Sequence, residues 1–189
     1  MTVLVSGAAK QVAEVAAELR ARGTDVTEVV DLTDLPAVCA DAGPDAFDSY
    51  VQLGSTYNMS GDTVVERVRR FYADGVLARF PALGAAVTSL SERGRVIFVF
   101  GALPAEVASK DDQAARLSLT KVLSHAIRAD RPQASYAMQV LASDTPTGEI
   151  VDAALGVGAS KDSDLLDRLS DLDYADWRVE IMGLVAIET

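Results

Sequence analysis

The sequence predicts an α/β domain, a doubly wound and mostly parallel sheet with helices on both faces. Three observations carry this. The run Val96 to Phe100, entered through Gly94-Arg95 and left through Gly101, is continuously bulky, as suits a strand buried on both faces of a parallel sheet. The chain opens with a short apolar strand, a Ser6-Gly7 turn and a helical repeat. Strand-like and helix-like segments then alternate to the end of the chain.

Taken in order, Val3, Leu4 and Val5 make the first strand, and Val12, Val15, Ala16 and Leu19 recur at helical spacing until Gly23 stops the helix. A second strand is expected from about Asp25 to Val30. Pro36, Gly43 and Pro44 leave room for at most a short helical turn between Asp34 and Ala46. Ser49 to Leu53 reads as a third strand ending at Gly54. A long apolar pattern from Thr63 to about Glu92 keeps a helical beat, with a kink or break at Pro81. Its apolar arc is wider than one sheet face requires, so a second partner surface is expected. The buried strand Arg95 to Phe100 precedes a helix over Ala114 to Ala129. Ser135 to Ala142 is a further strand, Gly148 to Leu155 and Ser163 to Leu172 are helices, and Trp177 to Ile187 supplies a final strand pair or one bent strand.

Length and composition bound the function. At 189 residues the chain suits a single domain, 1–189, with a substantial core. Apolar residues make up 49% and charged residues 24%, ordinary for a globular protein. The net charge of −11 argues against nucleic acid and anionic membrane as partners. No segment reaches the ~18 apolar residues of a membrane span, and no signal-like start is present. A cytoplasmic protein is expected. The one cysteine, Cys39, suits a reducing compartment and a place in the core.

Candidate chemistry is sparse. The carboxyl end of a buried parallel strand is where α/β proteins place their sites, yet Gly101, Ala102, Leu103 and Pro104 offer no acid, base or nucleophile. Gly101 and Tyr57, the latter in the loop beyond the third strand, are candidates for lining a ligand crevice. Lys121 stands four residues before His125, the only histidine; it is read either as a residual anion or ribose contact or as a plain helix lysine. The acids Asp162, Asp164, Asp167, Asp171, Asp173 and Asp176 lack the glycine and glutamate of a calcium loop and read as a solvated face. No metal site is expected.

The opening VLVSGAA, the strand ending Leu53-Gly54, Asp74-Gly75-Val76 with Phe80-Pro81-Ala82-Leu83, the strand Gly94 to Ile97, the helix carrying Lys121 and the terminal WRVEIMG together resemble the short-chain dehydrogenase/reductase family, over roughly Thr2 to Gly183. The resemblance implies a Rossmann-like fold, shortened between Gly23 and Asp48. It also locates what is missing. The family's Gly-x-x-x-Gly-x-Gly turn falls on Gly7, Gln11 and Ala13, where the latter two side chains are expected partly to fill the cofactor space. Its Asn-Asn-Ala-Gly strand end falls on Val51, Gln52, Leu53 and Gly54. Its catalytic serine falls at Gly101 and Ala102, its Tyr-x-x-x-Lys pair on Leu117 and Lys121, and its helix asparagine on Tyr72.

Carbonyl reduction needs a proton donor beside the substrate oxygen, and leucine at 117 has none to give. The expectation is a catalytically silent relative with no confident catalytic residue, Lys121 being vestigial. Gly7, Gly54 and Lys121 are the positions that would still touch NAD(P) if it bound, although an empty cofactor site is expected. The resemblance further implies that helices 63–92 and 114–129 pair with an identical chain or an active relative, making a structural or regulatory subunit. Alternatives are an NAD(P)-dependent oxidoreductase with an atypical site, and a small-ligand or acyl-thioester binding module.

Overall fold

The computed structural model describes residues 1–54, 61–70, 73, 77, 79–101, 126–127, 129 and 131–157. Its centre is a parallel sheet of β1 (Thr2–Ser6), β2 (Asp25–Val29), β3 (Phe47–Gln52), β4 (Leu90–Val99) and β5 (Ala137–Leu141), in the order β2-β1-β3-β4-β5. Every neighbouring pair is parallel, so each connection crosses over a face of the sheet. The expected doubly wound α/β class is what the chain adopts.

Alternation along the strands divides the core into two layers. On one face Val3 and Val5 of β1, Val51 of β3, Ile97 and Val99 of β4 and Leu141 of β5 pack under α1 (Ala9–Ala21) and α5 (Thr147–Leu155). Helix α1 buries Val12, Val15, Ala16 and Leu19, the positions whose spacing marked it in the sequence. On the other face Leu4, Tyr50, Val96, Phe98 and Met138 pack under α2 (Leu35–Ala42) and α4 (Arg79–Thr88). Because both faces are covered there, the last part of β4 has no polar side: Val96, Ile97, Phe98 and Val99 are all buried.

Two expectations need correction. Residues 34–46 contain a true helix, α2, and not a bare turn. Pro36 stands in its first turn, where a missing N–H costs no intrahelical bond. Leu35 and Cys39, four residues apart, bury one face on the sheet, and Gly43 at φ +81° ends the helix. The prolines and glycine that read as breakers flank the element and do not interrupt it. The helical pattern drawn to Glu92 also ends early. Helix α3 covers Val64–Arg70, α4 stops at Thr88, and Leu90 already lies in β4 opposite Phe47. Ser89 makes the junction, its carbonyl accepting the Phe47 N–H at 3.0 Å. Pro81 falls within the first turn of α4.

The remaining strands match the expected segments within two residues, β3 starting at Phe47 and β5 covering Ala137–Leu141. Of the helix expected over 114–129, residues 126, 127 and 129 are helical, and Ile127 is buried. The helix at 163–172 and the strand at 177–187 lie outside the described residues.

Candidate functional site

From β1 the chain passes through α1 to β2 on one side, then returns through α2 to β3 on the other side of β1. The winding direction therefore reverses between β1 and β3, and the carboxyl ends of these strands flank the position where open α/β sheets bind ligands. Ser6 and Gly7, Leu53 and Gly54, and Phe100 and Gly101 stand at this edge.

These strand ends are locked to one another by backbone contacts. The Leu53 N–H donates to the Ser6 carbonyl at 2.7 Å, the Gly7 N–H to Val29 at 3.2 Å and the Phe100 N–H to Leu141 at 2.9 Å. Gly7 has φ +140°, and a Cβ there would stand 2.7 Å from Leu53 Cβ and 2.9 Å from Leu53 O. At Gly54 a Cβ would stand 2.6 Å from both Cα and N of Gly101. The structure thus brings three of the sequence candidates, Gly7, Gly54 and Gly101, to one edge. It also gives Gly7 and Gly54 a packing reason to be glycine. Lys121 and Tyr57 lie outside the described residues, as do Leu117, Tyr72, His125 and the acids from Asp162 to Asp176.

Above Gly7, α1 begins at Ala9 after an extended Ala8 that makes no side-chain cap, and no acid occupies its first turn. The first N–H groups of a helix have no intrahelical acceptor and carry its partial positive charge. Gln11 and Ala13 lie on the exposed side of α1. Val12 and Val15 take the buried face of the helix, and the helical repeat leaves residues 11 and 13 on its solvent side.

Beneath the edge, on the α2 and α4 face, lies a polar group that sequence reasoning missed. Ser6 Oγ and Tyr50 OH are 2.8 Å apart, and Gln52 Nε2 donates to the same phenol oxygen at 3.1 Å. All three residues are completely buried. The register of β1 against β3, which sets Leu4 beside Tyr50 and Ser6 beside Gln52, stacks them. No local motif announces it.

Asp31, just past β2, was also missed as a functional candidate. Its Oδ1 accepts the Thr33 backbone N–H at 2.9 Å and the Thr33 hydroxyl at 2.8 Å. These bonds, the backbone one first, hold its carboxyl below the usual carboxylate range. An acid roughly 20 residues after a glycine turn is where dinucleotide folds bind a ribose hydroxyl, and that spacing was the available signal. Cys39 is buried in the core, and burial pushes its thiol pKa up. Among the described residues no group of three or more His, Cys, Asp or Glu is placed to hold a metal ion. No described helix is long and apolar enough to cross a membrane.

A parallel sheet wound on both faces with a glycine turn at its reversal point defines a Rossmann-like α/β fold. Solved structures share this fold. The chain is similar to the protein lin1944 from Listeria innocua, at TM-score 0.57 and 12% identity over 84% of this chain and 96% of that one. It is similar to a protein described as a short-chain alcohol dehydrogenase from Burkholderia multivorans, at TM-score 0.53 and 14% identity, covering 82% and 87% of the two chains. It is also similar to BdcA, solved in complex with NADPH, at TM-score 0.53 and 13% identity, covering 87% and 89%. At these identities the likeness is one of fold. No protein-family model matches the sequence, and no curated protein does.

Proposed function

We propose that this chain is a non-catalytic protein of the short-chain dehydrogenase/reductase fold, serving as a structural or regulatory subunit of a homo-oligomer or of a hetero-oligomer with an active relative. The observation that carries the reading is the chemistry of the strand ends. Gly7, Leu53, Gly54, Phe100 and Gly101 bring no side chain able to donate or accept a proton. Among the described residues, the polar side chains beneath this edge, Ser6, Tyr50 and Gln52, are fully buried, and Ser6 and Gln52 both bond the Tyr50 phenol. Proton transfer to a substrate oxygen requires a group within hydrogen-bond reach of it, and in the sequence resemblance the family's tyrosine falls on Leu117.

Helix α3 supports the subunit role. None of Val64–Arg70 is buried, and Val64 and Val65 are exposed at 49% and 78%. The helix is nonetheless well formed: Thr63 Oγ1 accepts the Glu66 N–H at 3.1 Å, and Glu66 Oε2 accepts the Asp62 N–H at 3.2 Å. A capped helix with no fully buried residue suits a face completed by a partner, as the resemblance implies for the segments 63–92 and 114–129. Cys39, buried and lone, suits a cytoplasmic protein.

The test is a light-scattering mass together with turnover assays of the purified chain, using NADH or NADPH and a panel of ketones, aldehydes and alcohols. An oligomer, alone or with a co-expressed relative, and no turnover is the expected result. Turnover by the chain alone overturns the non-catalytic reading, and a monomer that takes up no relative overturns the subunit reading.

A second reading, retention of NAD(P) without the chemistry, is favoured by the acid-free first turn of α1 and by Asp31. The side-chain-free turn at Gly7, the α1 N–H groups and the Asp31 carboxylate fit the pyrophosphate and adenosine ribose of a dinucleotide. Bound there, the nucleotide would supply a hydride donor or acceptor. The negative charge of Asp31 would accept a ribose hydroxyl and repel a phosphate at the same place, favouring NADH over NADPH. Titrating each nucleotide while following Trp177 fluorescence, with calorimetry alongside, tests this. The absence of a saturable signal up to about 1 mM, equivalent to binding weaker than ~4 kcal/mol, removes it.

A further inference from the structure

β2 is the outermost strand on its side of the described sheet. The Asp25 N–H donates to Met1 O at 3.2 Å, and Val29 O accepts the Gly7 N–H at 3.2 Å. Asp25, Thr27 and Val29 therefore turn their backbone groups toward β1. Because alternate residues of a strand point these groups to opposite sides, Val26 and Glu28 turn theirs outward. An open row of this kind is a template for adding a strand.

The row is not left bare. Arg20, near the end of α1, reaches across it. Its Nη2 donates to the Val26 carbonyl at 3.2 Å and its Nη1 to Glu28 Oε1 at 2.6 Å. One guanidinium thus occupies the outward acceptor of Val26 and is held there by the side chain of the next outward residue. The pair is in contact with solvent, with side-chain exposures of 51% for Arg20 and 32% for Glu28, so salt weakens it.

The same row matches a second copy of itself. With two β2 strands antiparallel about Thr27, Val26 of one copy stands opposite Glu28 of the other, and the reverse. Both are outward-facing, so each pair exchanges both N–H to carbonyl bonds, as a hydrogen-bonded antiparallel pair does. Side chains also agree: Asp25 faces Val29, Glu28 faces Val26 and Thr27 faces Thr27, with no like charges directly opposed. We propose that the outer edge of β2 is a self-pairing site that joins the sheets of two copies of this chain, and that Arg20 holds it shut in the single chain. The β2 edge belongs to neither of the segments 63–92 and 114–129 in the sequence, so the inference stands whether or not the subunit reading does.

The test uses the full chain, with mass measured by light scattering across protein concentration at low and high salt. Amide exchange is followed at Val26 and Glu28. Arg20→Ala removes the guanidinium, and Arg20→Met removes it while keeping the aliphatic stem on α1. Both variants should at least double in mass at concentrations where the unaltered chain does not, and should slow exchange at Val26 and Glu28 by about tenfold or more. High salt should move the unaltered chain in the same direction. Adding Val26→Pro to either variant removes an outward N–H at an edge position that tolerates proline, and should restore the original mass. The proposal is overturned if both Arg20 variants keep the original mass and exchange, or if their association survives Val26→Pro.

Discussion

The hydroxyl of Ser6 and the phenol of Tyr50 lie 2.8 Å apart, both fully buried, one layer below the ends of β1 and β3. Residues 44 positions apart in the chain are joined there by strand register alone. Replacing Tyr50 by Phe keeps the ring and its packing but removes the oxygen that both Ser6 and Gln52 bond. A loss of about 1–3 kcal/mol is expected, the usual cost of disturbing a buried polar pair. Urea unfolding should show a lower midpoint with an unchanged slope. A midpoint equal to that of the original protein would mean that the network contributes nothing.

The glycines separate into those the fold requires and one it does not. Gly7→Ala places a Cβ against Leu53 at φ +140°, and Gly54→Ala places one 2.6 Å from the backbone of Gly101. Each should destabilise by roughly 2–4 kcal/mol through backbone displacement at the strand ends. Gly84 in α4 has nothing within 4 Å of its Cβ position, so Gly84→Ala should stabilise by about 0.5–1 kcal/mol through helix propensity. Thermal melting of the three variants should show these opposite signs.

Asp31 should titrate below the ordinary value of about 3.9, because the Thr33 backbone N–H and then the Thr33 hydroxyl favour its charged form. A depressed folded-state pKa adds stability above the unfolded-state value, and this is lost as pH falls through the folded one. The contribution should therefore be present at neutral pH and vanish in acid. Thr33→Ala deletes only the hydroxyl, the smaller cause, so carbon-detected titration should show the Asp31 midpoint rising part of the way. A full return to the ordinary value would contradict the larger role of the backbone bond.

Cys39 is 2% exposed, and burial raises its thiol pKa, so it should resist thiol reagents in the folded protein. Its rate of reaction with a disulfide reagent at mildly alkaline pH should follow the opening of the α2 and α4 layer and become fast in urea. Rapid reaction in the native state would place the thiol outside the core.

Much of the architecture was legible because local periodicity and burial agree. Val12, Val15 and Leu19 mark α1, and the unbroken run through Val96 and Val99 marks a strand covered on both sides. The errors arose where one residue type serves two ends. Pro36 and Gly43 look like breaks inside a loop, whereas they open and close α2. Leu90 keeps the helical beat of α4, yet its place beside Phe47 belongs to β4. At the candidate site, Gly7, Gly54 and Gly101 could be found by motif spacing. Tyr50, Gln52 and Ser6 could not, because their proximity depends on which strands are neighbours and in what register.

Gly7 against Leu53, and Gly54 against Gly101, show the chain meeting itself where a side chain would not fit. The steric demand of folding is by itself a reason for glycine at positions 7 and 54, whether or not anything binds there. A signature scored on these positions would register a sound scaffold and remain silent about its occupation.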